Sequence, residues 1–224
     1  MMGTMKEHEI FQHNSFRTLY SGFYKGTMRL SDALTHGNTG IGTLDGANGE
    51  LIILDGSAYH GNSLNEVKKI SLEETLPYVA VWNHQIQDSF AYDTITSEDL
   101  LADLMKKFAT KNSLYSLKIT GTFKSVEITS KPAANTASYL EILKNQPHFL
   151  KENVKGTAVG IWSPKHLESL YGNGFHLHFL ADDKTFGAHL DNFVSGTVKV
   201  EIAIIHRLEQ EFAAADIDFQ KMKF

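Results

Sequence analysis

Three histidines fall in the short stretch Gly174-Phe175-His176-Leu177-His178-Phe179-Leu180-Ala181-Asp182-Asp183-Lys184-Thr185-Phe186-Gly187-Ala188-His189-Leu190-Asp191. Phe175, Leu177 and Phe179 alternate with His176 and His178, a period of two that predicts a strand with both imidazoles on one face. Asp182-Asp183-Lys184 is turn chemistry, and the apolar residues that resume at Phe186 predict a returning strand. A hairpin centred between Asp183 and Lys184 sets His189 directly opposite His178, and cross-strand partners share a face. Neutral imidazole is a common ligand for zinc and other divalent metals, and three protein ligands with an open fourth position describe a catalytic rather than a structural site. A structural site would close with a fourth ligand, often cysteine, and this chain has no cysteine. A His-x-His pair alone is better explained as two ordinary polar residues on a solvent-facing strand. The register of His189, within an apolar context, is what raises the metal reading.

The elements that must position these groups are strands for the most part. The chain has 224 residues, 42% hydrophobic and 21% charged, enough for one large domain or two small ones and ordinary for a soluble globular protein. Its formal net charge of −5, without a lysine or arginine block, argues against a nucleic-acid surface. No run approaches the ~20 apolar residues of a membrane span, and the N-terminal residues lack a signal-peptide core, so a cytoplasmic protein without a membrane partner is expected. The absence of cysteine leaves the redox compartment undetermined.

Along the chain, Phe16, Leu19, Tyr20, Phe23 and Tyr24 recur at helical spacing with Asn14 or Ser15 as cap, and a short helix is expected from Leu30 to Leu34. Gly40 to His60 reads as strand, an Asn48-Gly49 turn and a second strand, Glu50 to Leu54, whose apolar run implies burial on both faces. Glu50 at its mouth is either a solvated edge residue or a positioned acid. A strand is expected at Tyr78 to Trp82, a helix capped by Thr96 from Ser97 to about Lys111, and strand character from Tyr115 to Phe123 and Val126 to Thr129. Lys131 to Ser138 reads as a linker, Tyr139 to Lys144 as a short helix, and Gly156 to Trp162 and Gly196 to Ile205 as strands. His36, His84, His166 and His206 are read as structural or surface residues. The fold class is therefore α+β in two strand-rich lobes, residues 1–125 and 126–224, with the boundary placed between 123 and 156.

These residues carry a resemblance to the α-acetolactate decarboxylase family. It runs through Tyr24-Lys25-Gly26-Thr27-Met28, His36-Gly37, Gly42-Thr43-Leu44-Asp45, Asp55-Gly56 and Tyr59. It continues in Gly121-Thr122-Phe123, Asn145-Gln146-Pro147, Gly156 to Gly160 and the histidine hairpin with His189-x-Asp191. The resemblance implies an N-terminal mixed β-sheet with helices, paired with its twin in a homodimer, and a C-terminal barrel-like sheet carrying the metal site. It also implies one zinc per chain on His176, His178 and His189, and a small 2-hydroxy-3-oxo acid, 2-acetolactate, as substrate. Loss of carbon dioxide needs an electron sink, which a cation at the keto oxygen supplies, and the product is acetoin. Glu50 matches the family's proton-delivering glutamate, and Thr43 becomes a polar contact to substrate or to Glu50. Two departures stand against this. The family's arginine after the Gly-x-Phe motif is here Thr129, with Lys131 nearby, and Phe224 falls about where a tail with a second glutamate would begin, Glu209 and Glu211 lying too early. An ammonium does not replace a bidentate guanidinium. The alternatives are thus a metal-binding paralogue with weak activity or another keto or hydroxy acid as substrate, and a non-catalytic binding protein.

Overall fold

Strands with alternating burial build the molecule, and the computed structural model describes residues 8–133 and 137–224. In chain order the elements are β1 (Glu9–His13), α1 (Phe16–Tyr20), β2 (Met28–Arg29), α2 (Leu30–Ala33), β3 (Thr39–Leu44), β4 (Asn48–Leu54) and β5 (Ser57–Gly61). There follow β6 (Val67–Lys69), β7 (Thr75–Leu76), β8 (Tyr78–Trp82), β9 (Asp88–Tyr92), α3 (Ser97–Lys107) and β10 (Leu114–Thr129). The chain continues with α4 (Tyr139–Lys144), β11 (His148–Ser163), α5 (Glu168–Tyr171), β12 (Gly174–Ala181), β13 (Gly187–Ile205), β14 (Arg207–Glu211) and α6 (Ile217–Gln220).

Seven strands form one sheet in the order β14-β1-β8-β3-β4-β5-β6, and it is mixed because β1 runs parallel to β14 and antiparallel to β8. Five strands form the second sheet, β10-β11-β12-β13-β9. An additional β10–β13 pairing closes β10, β11, β12 and β13 into a ring, and in that limited sense the second sheet is barrel-like. The α+β, strand-rich expectation matches this architecture. The chain leaves the first sheet after Trp82 and returns to it only at Arg207.

Period-two alternation decides which side chains face the seam between the sheets. Ile52 of β4 and Leu180 of β12 share a buried cluster with Ile10, Ile41, Val159 and Ile161, drawn from both sheets. Leu51 and Ile53, of opposite parity to Ile52, pack instead on the far face of the first sheet with Leu30 and Ala33 of α2. Glu50 shares the parity of Ile52, and His176 and His178 that of Leu180, so the strands aim all three at the seam. At Gly61 the backbones of β5 and β13 meet, and a Cβ there would run into the Gly187 carbonyl oxygen. Only glycine fits so close an approach.

Three expectations shift. The first helix stops at Tyr20, because Gly22 takes a φ of 89° and turns the chain out before Phe23 and Tyr24. Its cap is Ser15, which exchanges hydrogen bonds with Thr18 in a capping box. The β3–β4 reversal falls on Asp45–Ala47 rather than on Asn48-Gly49, which already belongs to β4. Tertiary bonds fix that earlier turn, since the Gly26 amide donates to the Asp45 carboxylate at 2.6 Å and the Gly46 amide to the Tyr24 carbonyl at 2.8 Å. Lastly, Lys131 is not part of a loose linker. Its carbonyl accepts from the Gly49 amide at 3.0 Å, and beside it Ser130 donates to the Gly61 carbonyl at 2.8 Å. Residues 134–136 of the expected linker lie outside the described residues.

Candidate metal centre and cavity

The β12–β13 hairpin pairs His178 directly with His189, with Lys184 at a φ of 59° in its turn. One nitrogen from each of His176, His178 and His189 lies within 4.8 Å of the others. His178 is buried, and His176 and His189 are half-buried beside the cavity.

The protonation pattern follows from the partners. A carbonyl oxygen only accepts, so the 2.8 Å contact between His178 Nδ1 and the Leu51 carbonyl places the proton on Nδ1 and leaves a lone pair on Nε2. That Nε2 stands 3.2 Å from His176 Nε2 and 3.4 Å from Glu50 Oε2. His176 Nδ1 is buried without a hydrogen-bond partner. All three imidazoles are held neutral. Burial, reinforced by the neighbouring histidines and Lys131, pushes His176 and His178 well below the ordinary histidine range, and burial with Lys131 brings His189 to about 4. Three imidazoles with one nitrogen each this close together, one of them oriented by a backbone carbonyl, could hold a metal ion.

A cavity of about 250 Å³ opens onto this cluster, lined by residues of both sheets and two helices. Glu50 from β4 and Thr43 from β3 enter from the first sheet, His176 and His189 from the second, and Phe16, Leu19, Tyr78, Tyr139 and Leu143 supply apolar wall. Glu50 is 2% exposed, and burial raises its pKa against the opposing pull of Lys131. Lys131 is 6% exposed, and its ammonium donates to Glu50 Oε1. Thr43 makes its bond to the Gly49 carbonyl at 2.7 Å, not to Glu50. Four of the five sequence-predicted site residues, Thr43, Glu50, His176 and His189, line this cavity, and the fifth, His178, lies behind them against His176 and Glu50.

Thr129 does not enter it. Flanked by His148 in β11 and His189 in β13, Thr129 is buried and donates to Asp191 Oδ1 at 3.2 Å. Glu211 turns away to His13, 3.1 Å between Oε1 and Nδ1, and His84 sits 3.6 Å from Glu201, so neither joins the cluster. Sequence reasoning missed the walls, Tyr139, Leu143 and Gln146, and the ion pair of Lys131.

Comparison with known proteins points to one family. The family model for Alpha-acetolactate decarboxylase matches residues 10–224. The alpha-acetolactate decarboxylase of Lactococcus lactis subsp. lactis is 37% identical, covering 96% of this chain and 95% of that protein. That of Streptococcus thermophilus is 34% identical over 96% and 92%. Among solved structures, the alpha-acetolactate decarboxylase of Bacillus subtilis strain 168 superposes with a TM-score of 0.92 at 26% identity, covering 96% of this chain and 93% of that one. A Staphylococcus aureus protein of unknown function, described as similar to alpha-acetolactate decarboxylase, superposes with a TM-score of 0.94 at 31% identity, over 96% and 94%. No helix among the described residues is long and apolar enough to cross a membrane. Sequence, fold and relatives together establish that this chain belongs to the α-acetolactate decarboxylase family of carboxy-lyases.

Proposed function

We propose that the chain converts 2-acetolactate to acetoin and carbon dioxide, using one zinc ion held by His176, His178 and His189. The observation that carries this reading is the convergence of three neutral imidazoles on a cavity that also presents a buried carboxyl, Glu50. Zinc held by these three residues would supply the positive charge that a keto oxygen needs while the C1–C2 bond breaks.

The chain's own groups do the rest. Glu50 holds a proton for delivery to C2, and its raised pKa suits a carboxyl that must be an acid near neutrality. Thr43, its hydroxyl proton directed to the Gly49 carbonyl, keeps lone pairs to accept a hydrogen bond from the substrate hydroxyl. Phe16, Leu19, Tyr78 and Leu143 exclude water, so that Glu50 rather than solvent supplies the proton. A homodimer assembled through the first sheet forms part of this reading, supported by β14 standing at the open edge of that sheet. Light scattering that gave the mass of a single chain would remove it.

The test is release of carbon dioxide and acetoin from racemic 2-acetolactate by purified protein whose metal content is measured on the same sample. Turnover at a zinc content near one per chain, abolished by a chelator and restored by zinc, is the expected result. Zinc-loaded protein without turnover would overturn the decarboxylase reading and favour another keto acid, or a binding role.

A further inference from the structure

Lys131 is the one cationic side chain among the described residues lining the cavity, and it is almost wholly buried there. Its ammonium is paired with Glu50, a residue for which the proposed chemistry has another use. We propose that Lys131 is the residue that binds the substrate's carboxylate, exchanging Glu50 for the incoming anion when substrate enters. This rests on the decarboxylase reading of the site and adds to it a residue that assigns the carboxylate a place.

The exchange follows from charge and space. A 2-hydroxy-3-oxo acid brings a full negative charge into a small cavity with largely apolar walls, where an unpaired carboxylate is strongly disfavoured. The zinc that the three imidazoles would hold is engaged at the keto oxygen in the proposed reading, and the Glu50 carboxylate would repel the incoming anion. Only the Lys131 ammonium can compensate it among the described lining side chains. It has three donors and needs to give Glu50 only one of them. The backbone bond from Gly49 to the Lys131 carbonyl pins the root of the side chain beside Glu50, so the ammonium can turn between two anions without the chain moving.

A lysine also suits what happens next. Glu50, released from Lys131, takes up one proton from solvent as substrate binds. When the C1–C2 bond breaks, its electron pair stays with C2 and C3, the carboxyl carbon leaves as neutral carbon dioxide, and that proton then forms the C2–H bond. Lys131 thereby loses its anionic partner as Glu50 becomes a carboxylate, and the two can pair again. A single point charge holds the ground-state carboxylate less firmly than a bidentate guanidinium would, and less ground-state binding is given up at the transition state.

The test uses zinc-loaded protein and two probes that cannot decarboxylate. One is 2-hydroxy-2-methylbutanoate, which has the carboxylate but no keto group, and the other is acetoin, which has no carboxylate. Glu50→Gln, by freeing Lys131 from its competitor, should tighten binding of the anion several-fold in calorimetry and leave acetoin within about twofold. Glu50→Gln combined with Lys131→Met removes both buried charges together, so no unpaired ion burdens folding. It should bind the anion ~10 to 100-fold more weakly than Glu50→Gln alone, the loss of one charge-assisted hydrogen bond, again with acetoin unchanged. Equal anion binding by the double and single variants would overturn the assignment, and so would equal losses for anion and acetoin. If the wild-type protein fails to turn over 2-acetolactate yet shows this Lys131-dependent preference, the decarboxylase reading falls and the anion site stands.

Discussion

Replacing His178 with alanine should remove tight zinc binding and lower acetoin formation by ~10³-fold or more. His178 is the central member of the cluster, sharing a strand with His176 and a cross-strand register with His189, and its proton is already fixed by the Leu51 carbonyl. Two imidazoles without it make a weak, poorly oriented pair. A bound cation is worth several kcal/mol of transition-state stabilisation, and each 1.36 kcal/mol is a factor of ten. The variant also leaves the Leu51 carbonyl without its side-chain donor, at a cost of about 1–3 kcal/mol, so folding must be verified by circular dichroism before zinc is counted. His84→Ala is the control, since His84 lies beside Glu201 outside the cluster and should leave zinc content unchanged. Unaltered zinc in folded His178→Ala protein would refute the three-histidine site.

The hairpin was legible because every feature that fixes it is local. Alternation gave the strands, acidic residues gave the turn, and the register then followed by counting. The helix α3 was legible for the same reason, with Thr96 as cap and Leu100 and Leu104 on its buried face. Where distant partners decide, the reading failed in identifiable ways. Asn48-Gly49 is a strong turn signal, yet bonds from Gly26 and to Tyr24 set the reversal earlier. Nothing near Phe11 announces that it belongs to a strand sandwiched between β8 and β14, the latter almost two hundred residues away. Lys131 looked like the start of a linker because its burial depends on Gly49 and Glu50, which no window around residue 131 contains. The cavity walls were missed for a related reason, since α1 and α4 meet only in the folded chain, around Tyr78 and Tyr139.

Replacing Glu50 with glutamine should retain zinc and lower kcat by ~10²-fold or more, the usual loss for a positioned proton donor. Glutamine keeps the shape of the side chain and an oxygen for the Lys131 ammonium, so the cavity should persist, but its amide has no proton to give at C2. The stability cost has a sign and a bound. Breaking a buried ion pair by removing one partner costs about 3–5 kcal/mol when nothing replaces it, and the retained amide oxygen should hold the loss below that range. Stereochemistry separates a chemical role from a merely structural one. If Glu50 delivers the proton from one face, the wild-type product is a single acetoin enantiomer, whereas water admitted to the Glu50→Gln site can protonate either face. A slow variant that yields acetoin of reduced enantiomeric excess would place Glu50 at the proton transfer. A slow variant with undiminished excess would make Glu50 a positioning residue, acting through Lys131 or His178, its contacts at Oε1 and Oε2. An undiminished rate would remove it from the mechanism, and Lys131 would then be paired with it for stability alone.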